Sequence, residues 1–488
     1  MHIASQRERA MIHMTKQQHF SVCTAVVVVA ALSAFGVAAG GPVDITGWEN
    51  RFAHHYDYVL AETAALDRQH EPVEVTLTLP GTPPAEWQDA IRVVRVIDGT
   101  QGVVTPHQVL GTVSAVAEAA PDGKTPNPAA SVNVVFLADC AAKRQVTYRL
   151  FWGRPTGDGP GSEGLPVTET EHGLEVSGSL PGLSIGNTFY TLQLDEESGA
   201  IRSARRANLG EDTRMFYKTV PIHFGTDVWS PGQAWDHDYD WKIPPNQKLE
   251  GGATALRYHR WGPLQTYRDV VVSITYTFYA QVPYIHVFST MTFTENRSAH
   301  AVRMGEIVVS HSEKPEPDEG KELSPEVFSH YAWPGDGDDV VIREINAHRS
   351  ADGHANLKNV APGALGILDR DVPWVAGYNA AKGYGMASLR KAQFAGNQQG
   401  GPVPHAVPCT YVANYGWGFT YWSRPMVYPL GARETPLDQN TAIAAGTLFA
   451  IEEALLFFEP DAQLTEVSAA HRRFTEPLRL QFKGTGPW

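Results

Sequence analysis

The stretch VVVSITYTFYAQVPYIHVFSTMTFTE, residues 270–295, decides the fold class. Apolar and polar residues alternate on both sides of Gln281, Val282 and Pro283. A period of two is the pattern of a strand that buries one of its faces. The stretch therefore predicts two long strands that are broken at these three residues.

Alternation of the same kind recurs in the first third of the chain. Turn-rich segments separate four more predicted strands, which are VEVTLTL (73–79), IRVVRVID (91–98), VNVVFL (132–137) and VTYRLFW (146–152). This spacing indicates a small β-sandwich over residues 45–152. The segment GRPTGDGPGSEGLP (153–166) follows with five glycines and three prolines, so we predict an interdomain linker there.

The second part, residues 167–488, also favours strands. Residues 187–205 predict two strands around the turn DEESG, and AVRMGEIVVSH (301–311) predicts another. Strands this long, without amphipathic helices between them, indicate large antiparallel sheets packed face to face. The pattern allows short helices only near residues 84–89 and 468–475. The predicted fold class is therefore all-β.

Composition and charge narrow the partners of the chain. It has 488 residues, 43% of them hydrophobic, and 53 acidic against 39 basic residues, for a formal net charge of −14. Because this charge repels phosphate backbones, we expect no nucleic-acid partner.

The N-terminus has the pattern of an export signal. Residues 23–39 form an apolar run that ends in small residues, so we expect a signal peptide over residues 1–39 and cleavage near Ala39. The mature protein would then be secreted or periplasmic and free of the membrane, and an uncleaved anchor is the alternative. Cys140 and Cys409 would remain, either as buried thiols or as one long-range disulfide.

The strand and turn patterns resemble a known family of carbohydrate-active proteins. RQHEPVEVTLTLPG (68–81), VRVIDGTQGVVTPHQV (94–109) and VVFLADCAAKRQVTYRLFWG (134–153) resemble the small N-terminal sandwich of exo-acting rhamnogalacturonan-lyase-like proteins. GLEVSGSLPGLSIGNTFYTLQLDEESGAIRSAR (173–205) and LDQNTAIAAGTLFAIEEALLFFEP (437–460) are similar to strands of a galactose-mutarotase-like β-supersandwich of the polysaccharide-lyase type. The resemblance implies a small N-terminal β-sandwich followed by a large antiparallel β-supersandwich.

The resemblance implies carbohydrate chemistry, and two mechanisms compete. A lyase that acts on a uronate neutralises the carboxylate and removes the C5 proton with a histidine, tyrosine or lysine. A glycoside hydrolase needs two carboxylates instead. The many histidines, tyrosines and arginines in strand-end segments favour β-elimination of an anionic polysaccharide or oligosaccharide. A hydrolase or mutarotase-like epimerase that uses carboxylates such as Glu306 is the alternative, and a non-catalytic glycan-binding protein is a third reading.

Candidate site residues come from five segments that carry these side chains. Arginine binds a carboxylate through two parallel hydrogen bonds, and aromatic faces stack on sugar rings. The predicted catalytic residues are His237, His259, Arg260, Arg303, His330, Tyr331 and Tyr421. The predicted substrate-binding residues are Trp235, Tyr239, Trp261, Trp333, Asn414, Trp417, Trp422 and Arg424. In a single strand, Tyr415, Trp417, Phe419 and Tyr421 would share one face, as a sugar-binding floor or as core.

The segment WDHDYDWK, residues 235–242, raises the question of a metal. An extended chain would align Asp236, Asp238 and Asp240 on one face. Calcium accepts such oxygen ligands, although the positions where an EF-hand needs glycine and glutamate hold Trp241 and Gln247. We predict no metal site and no required cofactor, with a structural or carboxylate-bridging Ca²⁺ as the alternative.

Overall fold

A computed structural model describes part of the chain. It covers residues 42–48, 52, 54–80, 90–113, 129–153, 173–207, 224–229, 236–299, 301–310, 328–337, 339–344, 366–367, 372–404, 411–415, 419–427 and 441–485, some of them by backbone alone. The predicted signal peptide, the linker beyond Gly153 and the predicted helix at 84–89 lie outside these ranges. Residues 39–488 form one compact unit.

The described residues form thirty strands and one α-helix. In the first half these are β1 (Val43–Asp44), β2 (His54–Ala61), β3 (Arg68–Pro80), β4 (Ile91–Val96), β5 (Gln101–Thr105), β6 (His107–Val113), β7 (Ala129–Cys140), β8 (Gln145–Trp152), β9 (Glu175–Ser179), β10 (Gly182–Gly186), β11 (Tyr190–Leu194), β12 (Ile201–Arg206), β13 (Phe224–Trp229), β14 (Asp236–His237) and β15 (Asn246–Gly251). A 3-10 helix, Asp238–Asp240, follows β14.

The second half continues the strand series to the C-terminal region. Its elements are β16 (Ala255–Pro263), β17 (Val270–Tyr279), β18 (Tyr284–Phe293), β19 (Arg297–Ala299), β20 (Ala301–Ser310), β21 (His330–Pro334), β22 (Val340–Glu344), β23 (Gly366–Ile367), β24 (Trp374–Asn379), β25 (Tyr384–Asn397), β26 (Tyr411–Tyr415), β27 (Phe419–Val427), β28 (Thr441–Ile443), β29 (Thr447–Phe458), α1 (Thr465–Thr475) and β30 (Arg479–Thr485). The all-β prediction is confirmed.

Nine strands build the largest sheet. Their order is β15-β16-β17-β18-β29-β25-β24-β21-β22, and β17 and β18 are the two strands predicted from residues 270–295. The inward side chains of β17 are apolar or aromatic, and they join a core that also receives residues of β11, β12 and β20. The nine-stranded sheet therefore packs against the four-stranded sheet β12-β11-β10-β9 and the six-stranded sheet β14-β13-β20-β27-β26-β23.

The N-terminal strands form a second, smaller sandwich. The six-stranded sheet β1-β5-β4-β8-β2-β30 and the three-stranded sheet β3-β7-β6 share a core that includes Leu60, Val75, Ile91 and Phe136. One member, β30, lies far outside the predicted range 45–152, because it comes from the C-terminal end of the chain and pairs with β2. The two ends of the described chain thus complete one sheet.

Buried Arg68 ties helix α1 to this small sandwich. Its Nη1 donates to the Arg473 carbonyl at 3.0 Å and its Nη2 to the Glu476 carbonyl at 2.5 Å. The same guanidinium forms ion pairs with the buried carboxylates of Glu62 and Glu71, at 3.3 and 3.5 Å. Removing the arginine would leave two buried acids without this partner, and such losses are large.

We therefore expect Arg68→Ala to lower the free energy of unfolding by about 3–5 kcal/mol, as measured by urea denaturation. Arg149→Ala is the matched control, because Arg149 pairs with Asp57 at 2.6 Å at a partly exposed position. Its loss should be no more than about 1 kcal/mol. Equal losses in the two variants would contradict this account of Arg68.

Candidate functional site on the outer face of the nine-stranded sheet

The nine-stranded sheet has an outer face, turned away from the large core, and β16 shows how the sequence makes it. Tyr258 and Arg260 are buried in β16, whereas His259 and Trp261 between them are partly exposed. Successive side chains of a strand point to opposite faces, so these two pairs separate cleanly. His259 and Trp261, both predicted site residues, therefore lie together on the outer face.

Register extends this face across neighbouring strands in two rows. The first row runs Trp261, Ser273, Thr290, Ala450 and Phe394, each the direct partner of the next. The second row runs His259, Thr275, Phe288 and Glu452 in the same way. Direct partners in antiparallel strands share a face. We call these nine residues the platform, which has aromatic rings at its ends and hydroxyl groups in its floor.

His259 is the titratable group at one end of the platform. Its ring stacks on Trp261 with centroids 4.3 Å apart, and its Nε2 lies 2.8 Å from the Ser273 hydroxyl oxygen. Partial burial lowers the pKa of His259 below its usual value of 6.5, and nearby Lys248 reinforces this against the opposing effect of Glu250. The imidazole is therefore neutral at neutral pH, the state in which it accepts a proton.

Lys248 stands beside this histidine on the edge strand β15. It is the direct cross-strand partner of His259, its side chain is exposed, and its ammonium contacts Glu250. Because the Lys248 side chain is exposed and an ammonium has three donors, it can also bind a carboxylate that arrives from solvent. The His259 end thus combines a neutral base, an accessible cation and an aromatic ring.

A charged cluster lies at the other end of the second row. Glu452 accepts hydrogen bonds from Lys391 Nζ at 2.8 Å and lies 3.1 Å from His286 Nε2. The His286 contact, followed by that of Lys391, outweighs burial and lowers the pKa of Glu452 to about 2. Phe474 of α1 packs against both His286 and Lys391 and borders the cluster.

This shift makes a pH-dependent prediction for Glu452→Gln. Because the folded-state pKa lies below the usual 4.5, ionised Glu452 stabilises the fold above pH 4.5, and that stability disappears as the pH falls towards 2. The variant should be less stable than wild type at neutral pH by about 2 kcal/mol, with the gap closing in acid. Urea midpoints measured across this pH range check it. A gap that stays constant down to pH 2 would contradict it.

The structure places Arg260 in the core, which contradicts its predicted catalytic role. It has no exposed surface, and its guanidinium donates to the Asp238 carboxylate, to the Ser198 carbonyl at 3.1 Å and to the Tyr276 hydroxyl at 3.0 Å. Its ring neighbour Trp241 lies 5.5 Å away in a cation–π contact. A guanidinium sealed in the core does not bind a substrate carboxylate, so Arg260 supports the fold instead.

The three aspartates of WDHDYDWK do not share a face, because the chain leaves the extended conformation at Asp238. Asp236 accepts the backbone N–H groups of Thr266 and Tyr267, and Asp238 pairs with Arg260. Asp240 lies 3.1 Å from His237 Nδ1, and no group of three potential metal ligands occurs among the described residues. The predicted alignment of the three carboxylates on one face is therefore wrong.

His237 and Tyr239 also have local partners. His237 contacts Asp240, and the Tyr239 hydroxyl donates to Asp195 at 3.3 Å. Both lie near the edge strand β14 of the six-stranded sheet opposite the nine-stranded one. Neither belongs to the platform.

The proposed pair His330 and Tyr331 is divided by strand alternation. β21 runs through both residues, and Tyr331 is fully buried while His330 stacks on Tyr378 with centroids 5.1 Å apart. β21 is six strand positions from β16, about 29 Å at the usual strand spacing. His330 and His259 therefore cannot act on one sugar, and Trp333, also buried, packs in the core.

Other predicted residues are buried or lie outside the described parts. Arg303 is buried on β20 between β13 and β27. Tyr415 on β26 and Phe419 on β27 are cross-strand partners, so the stripe on a single strand is wrong. Two predicted residues, Trp235 and Trp417, lie outside the described ranges. Five others are described by backbone alone, and these are Asn414, Tyr421, Trp422, Arg424 and Glu306. Cys140 is a buried free thiol, and Cys409 lies outside the described residues.

Sequence reasoning missed the far half of the platform and the charged cluster beside it. Phe288, Phe394, His286, Lys391 and Glu452 come from three strands that are distant in sequence. The available signal was the outward set of positions on β18, since His286 and Phe288 alternate with buried Ile285 and Val287.

No helix in the described part of the chain has the length and apolarity needed to cross a membrane.

Comparisons with known proteins give remote backbone likenesses. No family model and no curated protein matches the chain. An alpha-mannosidase from Enterococcus faecalis shows 11% identity and a TM-score of 0.46, over 88% of this chain and 46% of that one. A putative aldose 1-epimerase from Escherichia coli K12 shows 13% identity and a TM-score of 0.28, over 59% and 100%. A galactose mutarotase-like protein from Lactobacillus casei shows 12% and 0.29, over 57% and 99%. The chain spans about half the length of the Enterococcus faecalis structures it matches.

Proposed function

We propose that the protein processes carbohydrate and cleaves a uronate-containing glycan by β-elimination at the His259 end of the platform. The observation that carries this proposal is the juxtaposition of a neutral imidazole, an exposed ammonium in cross-strand register and a tryptophan on one open sheet face. The substrate is an anionic polysaccharide or oligosaccharide. The proposal includes a secreted or periplasmic location, which the N-terminal sequence favours.

The chemistry assigns one role to each group. Lys248 pairs with the uronate carboxylate, which makes the C5 proton more acidic. His259 takes that proton on Nδ1, since its Nε2–H donates to the Ser273 hydroxyl oxygen. The electron pair of the broken C5–H bond forms the C4–C5 double bond, and the C4–O bond breaks. The imidazolium returns its proton to the leaving oxygen, so atoms and charge balance. Trp261 stacks on the sugar and holds it beside the base.

Hydrogen bonding prepares His259 for this step. Ser273 fixes the ring orientation through its 2.8 Å contact with Nε2, and Trp261 limits the ring from one side. A base held in place loses less entropy when the substrate binds. The lowered pKa keeps His259 in its base form at neutral pH. Below pH 6.5 we therefore expect activity to rise with pH as the imidazolium loses its proton.

We expect His259→Gln to reduce kcat/KM by about 100-fold or more, because a glutamine side chain can bond Ser273 but cannot take the proton. The assay follows the rise in ultraviolet absorbance from the unsaturated uronate when polygalacturonate is added. His471→Gln is the matched control, since the His471 ring, on helix α1, is also held by a hydrogen-bond contact, 3.2 Å from Nε2 to the Arg390 carbonyl oxygen. This control should retain its activity.

Three outcomes separate the readings. Absorbance that rises in wild type and in His471→Gln but not in His259→Gln supports elimination at this site. New reducing ends without absorbance would overturn elimination in favour of hydrolysis by carboxylates. Retention of glycan without turnover would overturn the enzyme reading in favour of a binding protein.

A further inference from the structure

Phe394 lies at the end of the platform farthest from Trp261, and its ring lies close to Gly396. It is 55% exposed on β25, and a Cβ added at Gly396 would come within 2.5 Å of its ring carbon Cζ. Residues 394 and 396 are on the same face of the strand, so the ring occupies the space where a side chain at 396 would stand. The ring is therefore close to the strand at Gly396 and still more than half exposed to solvent.

Charge accompanies the aromatic ring at both ends. Lys248 is next to His259 and Trp261, and Lys391 is three residues from Phe394 on the same strand. Lys391 directs one donor to Glu452, and an ammonium carries three. Lys391 pairs with Glu452, and Lys248 pairs with Glu250. Each end of the platform thus places a stacking ring beside an ammonium that has donors beyond its glutamate partner, and these donors can bind carboxylates of a polymer.

Geometry sets the length of such a ligand. Trp261 and Phe394 lie in one cross-strand row, four strand spacings apart, or about 19 Å. The row between them holds Ser273, Thr290 and Ala450, whose small side chains leave a low floor with two hydroxyl groups. A single sugar cannot reach both rings.

We infer that the platform binds a uronate chain of several residues laid across the strands, with Phe394 and Lys391 forming a remote subsite. The inference rests on the proposed function and adds the substrate's length and direction. Chain occupancy at the remote subsite holds the reacting residue at His259, so long chains bind and react better than short ones.

The test compares digalacturonate and hexagalacturonate as ligands of wild type, Phe394→Ala and Gly396→Ala, by calorimetry and by turnover. Both variants should weaken hexagalacturonate binding about fivefold, the first by removing the ring and the second by displacing it. Binding of digalacturonate should not change. Phe482→Ala is the matched control, because Phe482 is also 55% exposed but lies on β30 in the small sandwich.

The results distinguish this inference from the proposed function. If turnover is normal but neither variant alters the ratio of hexagalacturonate to digalacturonate affinity, the remote subsite is wrong and the function stands. If hexagalacturonate binds in a Phe394-dependent way without turnover, the subsite stands and elimination is wrong. Equal losses in Phe482→Ala would overturn the subsite, and failure of wild type to bind either ligand would overturn both.

Discussion

Antiparallel register from β15 to β25 sets both faces of the nine-stranded sheet. Each cross-strand pair fixes which side chains enter the core and which reach solvent, and a slip of one residue would exchange the two sets. On β16 that exchange would expose Arg260 and bury His259. The cost of exposing the aromatic core and of burying unpaired polar groups holds the register, so the core that stabilises the sheet also positions the platform.

The buried pair of Arg260 and Asp238 reinforces this arrangement from inside. Arg260 donates to the carbonyl of Asp238 as well as to its carboxylate, so it fixes the 3-10 turn as well as one side chain. Its position on β16 is thereby joined to the segment that leaves β14. Buried ion pairs add little net stability, but a misplaced partner is costly, and this favours one arrangement over its alternatives.

Much of the fold follows from the sequence, because alternation with a period of two is a local signal. Residues 270–295 and the four N-terminal segments are strands where the pattern places them, and the helix predicted near Ser468–Thr475 is α1. Pairing is not local. β30 pairs with β2, which lies more than four hundred positions away in the sequence. Neither segment carries a local signal that identifies its partner strand. The prediction that the aspartates of WDHDYDWK share one face was wrong for the same reason. These aspartates bind partners in β16, in the segment before β17 and in the turn itself.

Only one end of the platform could be predicted from the sequence, and the reason is physical. His259 and Trp261 are neighbours on one strand, so a single segment brings base and ring together. Glu452, His286 and Lys391 meet only because β18, β29 and β25 are adjacent in the sheet. Alternation also explains why richness in functional side chains was a poor guide: His259 and Arg260, like His330 and Tyr331, are adjacent in sequence and opposite in space. In a sheet protein, a candidate pair two residues apart on one strand, or in register on the next, is therefore a better starting point than a pair of adjacent residues.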